Sequence, residues 1–171
     1  MSNNSDLDLS GFSEQNQNNQ YVTFILGDDF YGMNIHSVKE VIEYGSVTTI
    51  PLMPDFVKGV LNLRGEVVPV LDLSLRFGKD KTQIHQRSCI AIIEVNHEDR
   101  VALLGVVVDS VNEVVEVLPE QIENPPSFGA QIRAQFIVGV ANIDEHFVII
   151  LDSEKVLSVD EMADIIDHAI N

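Results

Sequence analysis

The chain has 171 residues, with 27 Asp plus Glu against 10 Lys plus Arg and a formal charge of −17. That length suits one ordinary domain or two small ones, and so acidic a surface repels phosphate backbones and anionic lipid, which argues against nucleic acid or a membrane as partner. The composition is 45% hydrophobic, mostly Val, Ile and Leu, with 6% aromatic residues and no Trp, which predicts an aliphatic, strand-rich core.

Residues 1–19 are nearly all Asn, Gln, Ser, Asp and Glu, with Leu7, Leu9 and Phe12 as the larger apolar groups after Met1. They bury too little to offset their ordering entropy and read as a disordered polar tail. No Lys or Arg precedes Lys39 and no apolar block opens the chain, so neither a secretory signal nor a transit peptide is expected, and the reading is cytosolic. Tyr21 to Leu26 and Phe30 to Met33, joined by Gly27-Asp28-Asp29, predict a hairpin. Ile35, Val38 and Val41-Ile42 allow one helical turn leading into a strand, and Val47 to Ile50 predicts the next strand. Asp55 to Lys58, between Pro54 and Gly59, predicts a short helix with Pro54 as its first residue and Gly59 as its stop.

A second hairpin is predicted from Gly59 to Leu63 and Val67 to Leu71 around Arg64-Gly65-Glu66; Pro69, which cannot donate, predicts an edge strand or a bulge there. Beyond the polar stretch Gly78 to Gln86, strands are predicted at Ser88 to Val95, Val101 to Val108, Glu113 to Leu118, Phe136 to Ala141 and Phe147 to Leu151. The longest apolar run, Val101 to Val108, is eight residues, far short of the ~20 that cross a bilayer as a helix. Strands of this length with turns between them describe a barrel or sandwich. The period then changes: Ser158-x-x-Glu161 is a capping box, and Val159, Met162, Ala163, Ile166 and Ala169 recur at helical spacing, predicting an amphipathic helix over 158–171.

The chain also repeats itself. Gly59 to Asp72 aligns with Gly139 to Asp152 at an offset of 80, matching Gly, Val, Asn, Val, Leu and Asp. Earlier in each copy, Gly32, Ser37, Val38, Glu40 and Val41 align with Gly105, Ser110, Val111, Glu113 and Val114 at an offset of 73. Two small β units, each too small for a large core, should pack on each other and leave a groove. They differ at the hairpin tip, where the first carries Arg64-Gly65 and the second Asp144-Glu145. An exposed tip arginine can fork onto a partner's carboxylate or pair with a local acid such as Glu66.

Catalytic signatures are absent. Cys89, the single cysteine, excludes internal disulfides and thiolate clusters; it lies in an apolar run with no nearby His, where a thiol behaves as a small hydrophobe, although a Cys89-dependent hydrolase is the enzymatic alternative. The five histidines are scattered without H-x-x-x-H or H-x-H spacing, so no metal is expected. Gly78 to Thr82 lacks the Walker pattern, and no G-x-S-x-G elbow occurs. A single-strand nucleic-acid barrel would need a basic groove with stacking aromatics, and the stretch from Arg64 to Arg87 has one aromatic, Phe77.

Ile50-Pro51-x-x-Pro54-x-Phe56-Val57-Lys58-Gly59-Val60-x-Asn62-Leu63-Arg64-Gly65-x-Val67-Val68-Pro69-Val70-Leu71-Asp72-Leu73 resembles the CheW family of bacterial chemotaxis coupling proteins. Phe30-Tyr31-Gly32-x-x-Ile35-x-x-Val38-x-Glu40-Val41 and Gly105 to Val111 are similar to it as well, and the likeness runs from about Tyr21 to about Asp164. The resemblance implies a mainly β fold of two packed SH3-like five-stranded barrels within residues 20–157, the first centred on about 30–85 and the second on about 88–152. It implies a non-enzymatic adaptor without cofactors, which joins chemoreceptor (methyl-accepting chemotaxis protein) cytoplasmic tips to the regulatory domain of the histidine kinase CheA and to other CheW copies in rings. The protein would be cytoplasmic and recruited to receptor arrays, the output being flagellar, twitching or another. The positions matching receptor contacts are Val38, Glu40, Gly59 and Arg64, and Phe128 with Glu123 falls in the kinase-contact loop. The sequence departs from the pattern at Glu123, where a basic residue is frequent, which bears on the ring contact and its choice of partner.

Overall fold

Short apolar, β-prone runs bounded by Gly, Asp and Asn set most of the strands. A computed structural model describes residues 19–97, 100–124 and 136–156. The polar tail up to residue 18, Phe128 and the helix expected at 158–171 lie outside the described residues. Strands β1 (Gln20–Leu26) and β2 (Asp29–Asn34) form the first hairpin, turning through Gly27 at a φ of 61°. A 3-10 turn, Ile35–Ser37, capped by the Asn34 side chain on the His36 N–H (2.9 Å), leads into β3 (Val38–Glu43). Strands β4 (Val57–Leu63) and β5 (Glu66–Asp72) follow, then the single-turn helix α1 (Leu73–Arg76). The remainder comprises β6 (Cys89–His97), β7 (Arg100–Val108), β8 (Ser110–Glu116), β9 (Ile122–Glu123), β10 (Ile137–Ile143), β11 (His146–Leu151) and α2 (Ser153–Val156).

The strands form two sheets, β3-β6-β7-β5-β4 and β8-β1-β2-β11-β10-β9. The internal repeat is visible in their register. Val57↔Leu71, Val60↔Pro69 and Asn62↔Val67 in the β4–β5 hairpin become Ile137↔Leu151, Val140↔Ile149 and Asn142↔Phe147 in β10–β11, each shifted by 80, and the bulge before Gly59 recurs before Gly139. The copies exchange strands, however. Val70 of the first copy pairs in parallel with Gly105 of the second, and Ile150 of the second pairs with Gly32 of the first. The sheets therefore do not follow the division into halves centred on 30–85 and 88–152: β6 and β7 complete the sheet of β3 to β5, while β1 and β2 complete the sheet of β8 to β11.

Two elements differ from expectation. The short helix over 55–58 does not form; Val57 and Lys58 already belong to β4, after a turn in which the Val57 N–H reaches the Pro54 carbonyl at 3.0 Å. Gly59 is therefore no helix stop. It sits at a φ of 150°, where a Cβ would lie 2.7 Å from the Thr48 carbonyl carbon and collide with its oxygen, and this close approach is what requires glycine. The strand expected over Val47 to Ile50 reduces to one bridge, Thr48↔Val60, with both N–H···O bonds made (2.8 and 2.9 Å). Of the two alternatives for the Pro69 strand, the edge does not hold, since β5 lies between β7 and β4. Its pairing with β4 does carry a bulge, between Val57 and Gly59 opposite Leu71 and Val70. The partner of Pro69, Val60, directs its backbone bonds outward to Thr48, and the pairing with β7 begins only at Val70, so no donor is missed.

Two buried clusters hold these layers. One lies between the sheets and includes Phe24, Tyr31 and Met33 from one and Leu71, Ile93 and Val106 from the other. The other fills the interior of the five-stranded sheet with Leu61, Val68, Val70, Ile90, Ile92 and Val107, against which Ile42, Tyr44 and Val47 pack. Each such side chain contributes about 1.5–3 kcal/mol on burial. The contacts of Ile42 and Tyr44 with that interior bring the β3 edge round to the β4 edge, which is the closure of an SH3-like barrel.

Candidate functional site: a charged fork at a hairpin tip

The β4–β5 hairpin turns through Arg64 and Gly65, with φ of 51° and 89°, and the Asn62 side chain accepts from the Gly65 N–H at 2.8 Å. Two consecutive left-handed residues make the tight turn whose twist matches the strands. It projects Arg64 toward β3. There the guanidinium forks onto Glu40: Nη1 donates to Oε1 at 3.4 Å and Nη2 donates to Oε2. Glu40 is opposite Ile92, just past a register shift that begins at Val38.

The Arg64 side chain is 66% exposed and that of Glu40 28%, so the pair lies at the surface as the seam between the edge strands. The hydrogen bonds to Glu40, and then its charge, hold the guanidinium above its usual pKa. A partner meeting this fork finds free donor N–H groups and carboxylate lone pairs already oriented, with no isolated charge to desolvate.

Of the other positions matched to receptor contacts, Val38 is buried in the inter-sheet core two residues before Glu40. Gly59 lies on the hairpin strand that carries Arg64, at the Thr48 crossing. Both set the backbone that carries the fork. Glu123, matched to the kinase-contact loop, is exposed on β9 opposite Val140, far along the other sheet's order from β2.

Other surface features escaped the sequence reading. Leu52, between Pro51 and Met53, is 96% exposed at a φ of 63°. Phe147 is 68% exposed opposite Asn142, the place that Val67 takes opposite Asn62. The repeat offset of 80 could have flagged Phe147, because its counterpart is a smaller apolar group on the same outward position.

Enzymatic chemistry gains nothing. Cys89 is buried, its thiol directed at the Arg87 carbonyl (3.2 Å), so the hydrolase alternative has no nucleophile at the surface. Among the described residues no three His, Cys, Asp or Glu side chains converge as a metal site, and no helix is long and apolar enough to cross a membrane.

Residues 20–161 match the family described as the CheW-like domain. Chemotaxis protein CheW of Klebsiella aerogenes is 36% identical over 144 residues, covering 84% of each chain. The Treponema pallidum protein of the same name is 33% identical over 145 residues, again covering 84% of each. Among solved structures, the scaffolding protein TtCheW from Thermoanaerobacter tengcongensis superimposes with a TM-score of 0.74 at 35% identity, covering 84% of this chain and 90% of that one.

Proposed function

The chain belongs to the CheW family, and from that premise we propose that it is a non-enzymatic scaffold of a bacterial chemosensory system that couples receptor tips to the histidine kinase CheA. One observation supports this reading above the others: Glu40 and Arg64, 24 residues apart and both matched to receptor contacts, form one bidentate pair at the surface. The receptor hairpin docks with the fork at its charged end, and Val38 and Gly59 act from behind by fixing β3 and β4. Phe128 and Glu123 belong to the kinase contact, which also serves rings with further copies of the chain. The protein acts in the cytoplasm, recruited to receptor arrays.

Coupling is tested by mixing the chain with its own host's kinase and receptor tips and measuring kinase phosphorylation and co-sedimentation. Arg64→Ala is expected to lose receptor co-sedimentation while its melting temperature stays within a few degrees of the parent, because an exposed pair contributes little to stability. Kinase activity equal with and without the chain would sink the proposal. Unaltered co-sedimentation of Arg64→Ala would remove the fork from it.

A further inference from the structure

The barrel that carries the fork is packed with apolar side chains at its seam, and its repeat partner opens a pocket at the matching place. In the first, Leu63, Val68, Ile92 and Ile42 pack the interior and Arg64 closes the seam onto Glu40. The repeat offsets place Ile143, Val148 and Val115 where Leu63, Val68 and Ile42 stand. Ile92, however, is replaced by Thr23. Glu40 is opposite Ile92 in the first sheet, while in the second Thr23 donates to the Glu113 carbonyl at 2.7 Å and its hydroxyl accepts from the Glu113 N–H at 3.1 Å. A cavity of about 270 Å³ opens there, walled by Val115, Ile143 and Val148 and rimmed by Glu113, Asp144 and His146.

The seam differs in charge as well, its cation replaced by a second acid. Glu113 takes the place of Glu40, and Asp144 takes the place of Arg64 at a tip of nearly the same backbone, with a φ of 52° against 51°. Two acidic residues therefore line one mouth, and among the described residues neither has a cationic partner. We propose that this cavity receives the arginine side chain of a partner protein, supplying from outside the guanidinium that the first barrel supplies from Arg64.

The lining selects that chemistry. Drug-sized ligands occupy roughly 300–1,000 Å³, so the space suits one side chain. Its apolar walls fit an aliphatic stem. The two carboxylates fit a planar fork better than a point charge, and Phe30, packed edge-on against His146 at 4.6 Å between centroids, offers a ring to the cation. A bare metal ion fits poorly, because among the described residues no three ligating side chains converge. The site lies in the sheet opposite the Glu40–Arg64 seam, and its failure would leave the coupling proposal standing.

The experiment is a titration of the whole isotope-labelled chain, followed by backbone amide NMR at low ionic strength, with N-acetyl-L-arginine amide as probe. Saturable shifts confined to Thr23, Asn112, Glu113, Val115 and His146 are expected. N-acetyl-L-lysine amide should bind several-fold more weakly, and free L-arginine more weakly too, since its α-carboxylate meets two acids. Asp144→Arg rebuilds the internal fork and should weaken the probe at least tenfold; should that variant not fold, Glu113→Gln must weaken it comparably. Glu43→Gln, an exposed acid on β3, should leave it unchanged. The proposal is overturned by shifts spread over acids throughout the chain, by equal binding to the parent and to the mouth variants, by tighter binding of free L-arginine, or by magnesium alone saturating the same amides.

Discussion

Single residues tie the two sheets together, and one of them should be readable in alkali. Tyr31 is fully buried, stacked against Phe24 and Phe77, and its hydroxyl accepts from Lys79 Nζ at 3.2 Å, while the same ammonium donates to Asp29 at 2.9 Å. Burial raises the Tyr31 pKa above its ordinary 10.0, with Lys79 opposing. For Lys79 burial acts against the charge, but the hydrogen bonds to Asp29 and Tyr31 outweigh it, so its pKa also stands above the ordinary 10.5. Both folded-state values exceed the unfolded ones, so the stability they contribute is complete below about pH 10 and is lost as pH rises through the folded values. Tyr31→Phe should cost roughly 1 kcal/mol at neutral pH, the scale of one hydrogen bond. It should also fall less steeply in melting temperature than the parent as pH rises above about 10. Parallel curves for parent and variant would mean that the alkaline loss has another source.

At the scale of elements, the hairpins were legible and their surroundings were not. Gly27-Asp28 and Arg64-Gly65 interrupt apolar, β-prone runs, and both turns fall where that punctuation puts them. The Glu40–Arg64 pair was not legible, because it depends on a sheet curling until its edge strands meet, and alternation is silent about curvature. Gly59 was misread for a related reason. A glycine between Lys58 and Val60 looks the same in sequence whether it stops a helix or admits another backbone, and here the Thr48 carbonyl occupies the space of its Cβ. This gives a graded expectation. Gly59→Ala meets both a left-handed φ and a backbone collision and should cost about 2–4 kcal/mol, breaking the Thr48 bridge and releasing the seam that holds Arg64. Gly139→Ala meets the Glu123 carbonyl oxygen at 2.6 Å and the branched Cγ2 methyl of Ile122, but without the unfavourable φ, and should cost less. Denaturant melts rank the two. In receptor binding, Gly59→Ala should lose affinity together with stability, whereas Arg64→Ala loses affinity with stability kept.

At the scale of the molecule, the repeat was legible as an ordered run of matches, but the exchange of strands between its copies was not. A strand's alternation says which face is buried and leaves its neighbour open, and Gly32 and Gly105 fit equally well beside either copy's last strand. The structure pairs each with the other copy, Gly105 with Val70 and Gly32 with Ile150, and the bulk beside them explains the glycines: a Cβ on Gly105 would lie 2.7 Å from Ile90 Cγ2, and one on Gly32 3.2 Å from Val148 and Ile150. A cut between residues 87 and 88 therefore does not release two barrels. It removes β6 and β7 from the middle of the sheet that contains β3, β5 and β4, and it removes β1 and β2 from between β8 and β11. What remains in each piece is chiefly isolated hairpins, and isolated hairpins are marginal in water. Fragments 1–87 and 88–171, prepared separately, should each show no cooperative thermal transition by circular dichroism. Mixed in equal amounts, they should regain strand signal and a single transition, because the inter-sheet core from Phe24 and Tyr31 to Leu71 and Val106 is built from both. A fragment that melts cooperatively alone would show that one half holds its fold without the exchanged strands, and the exchange would then be a packing detail rather than the unit of stability.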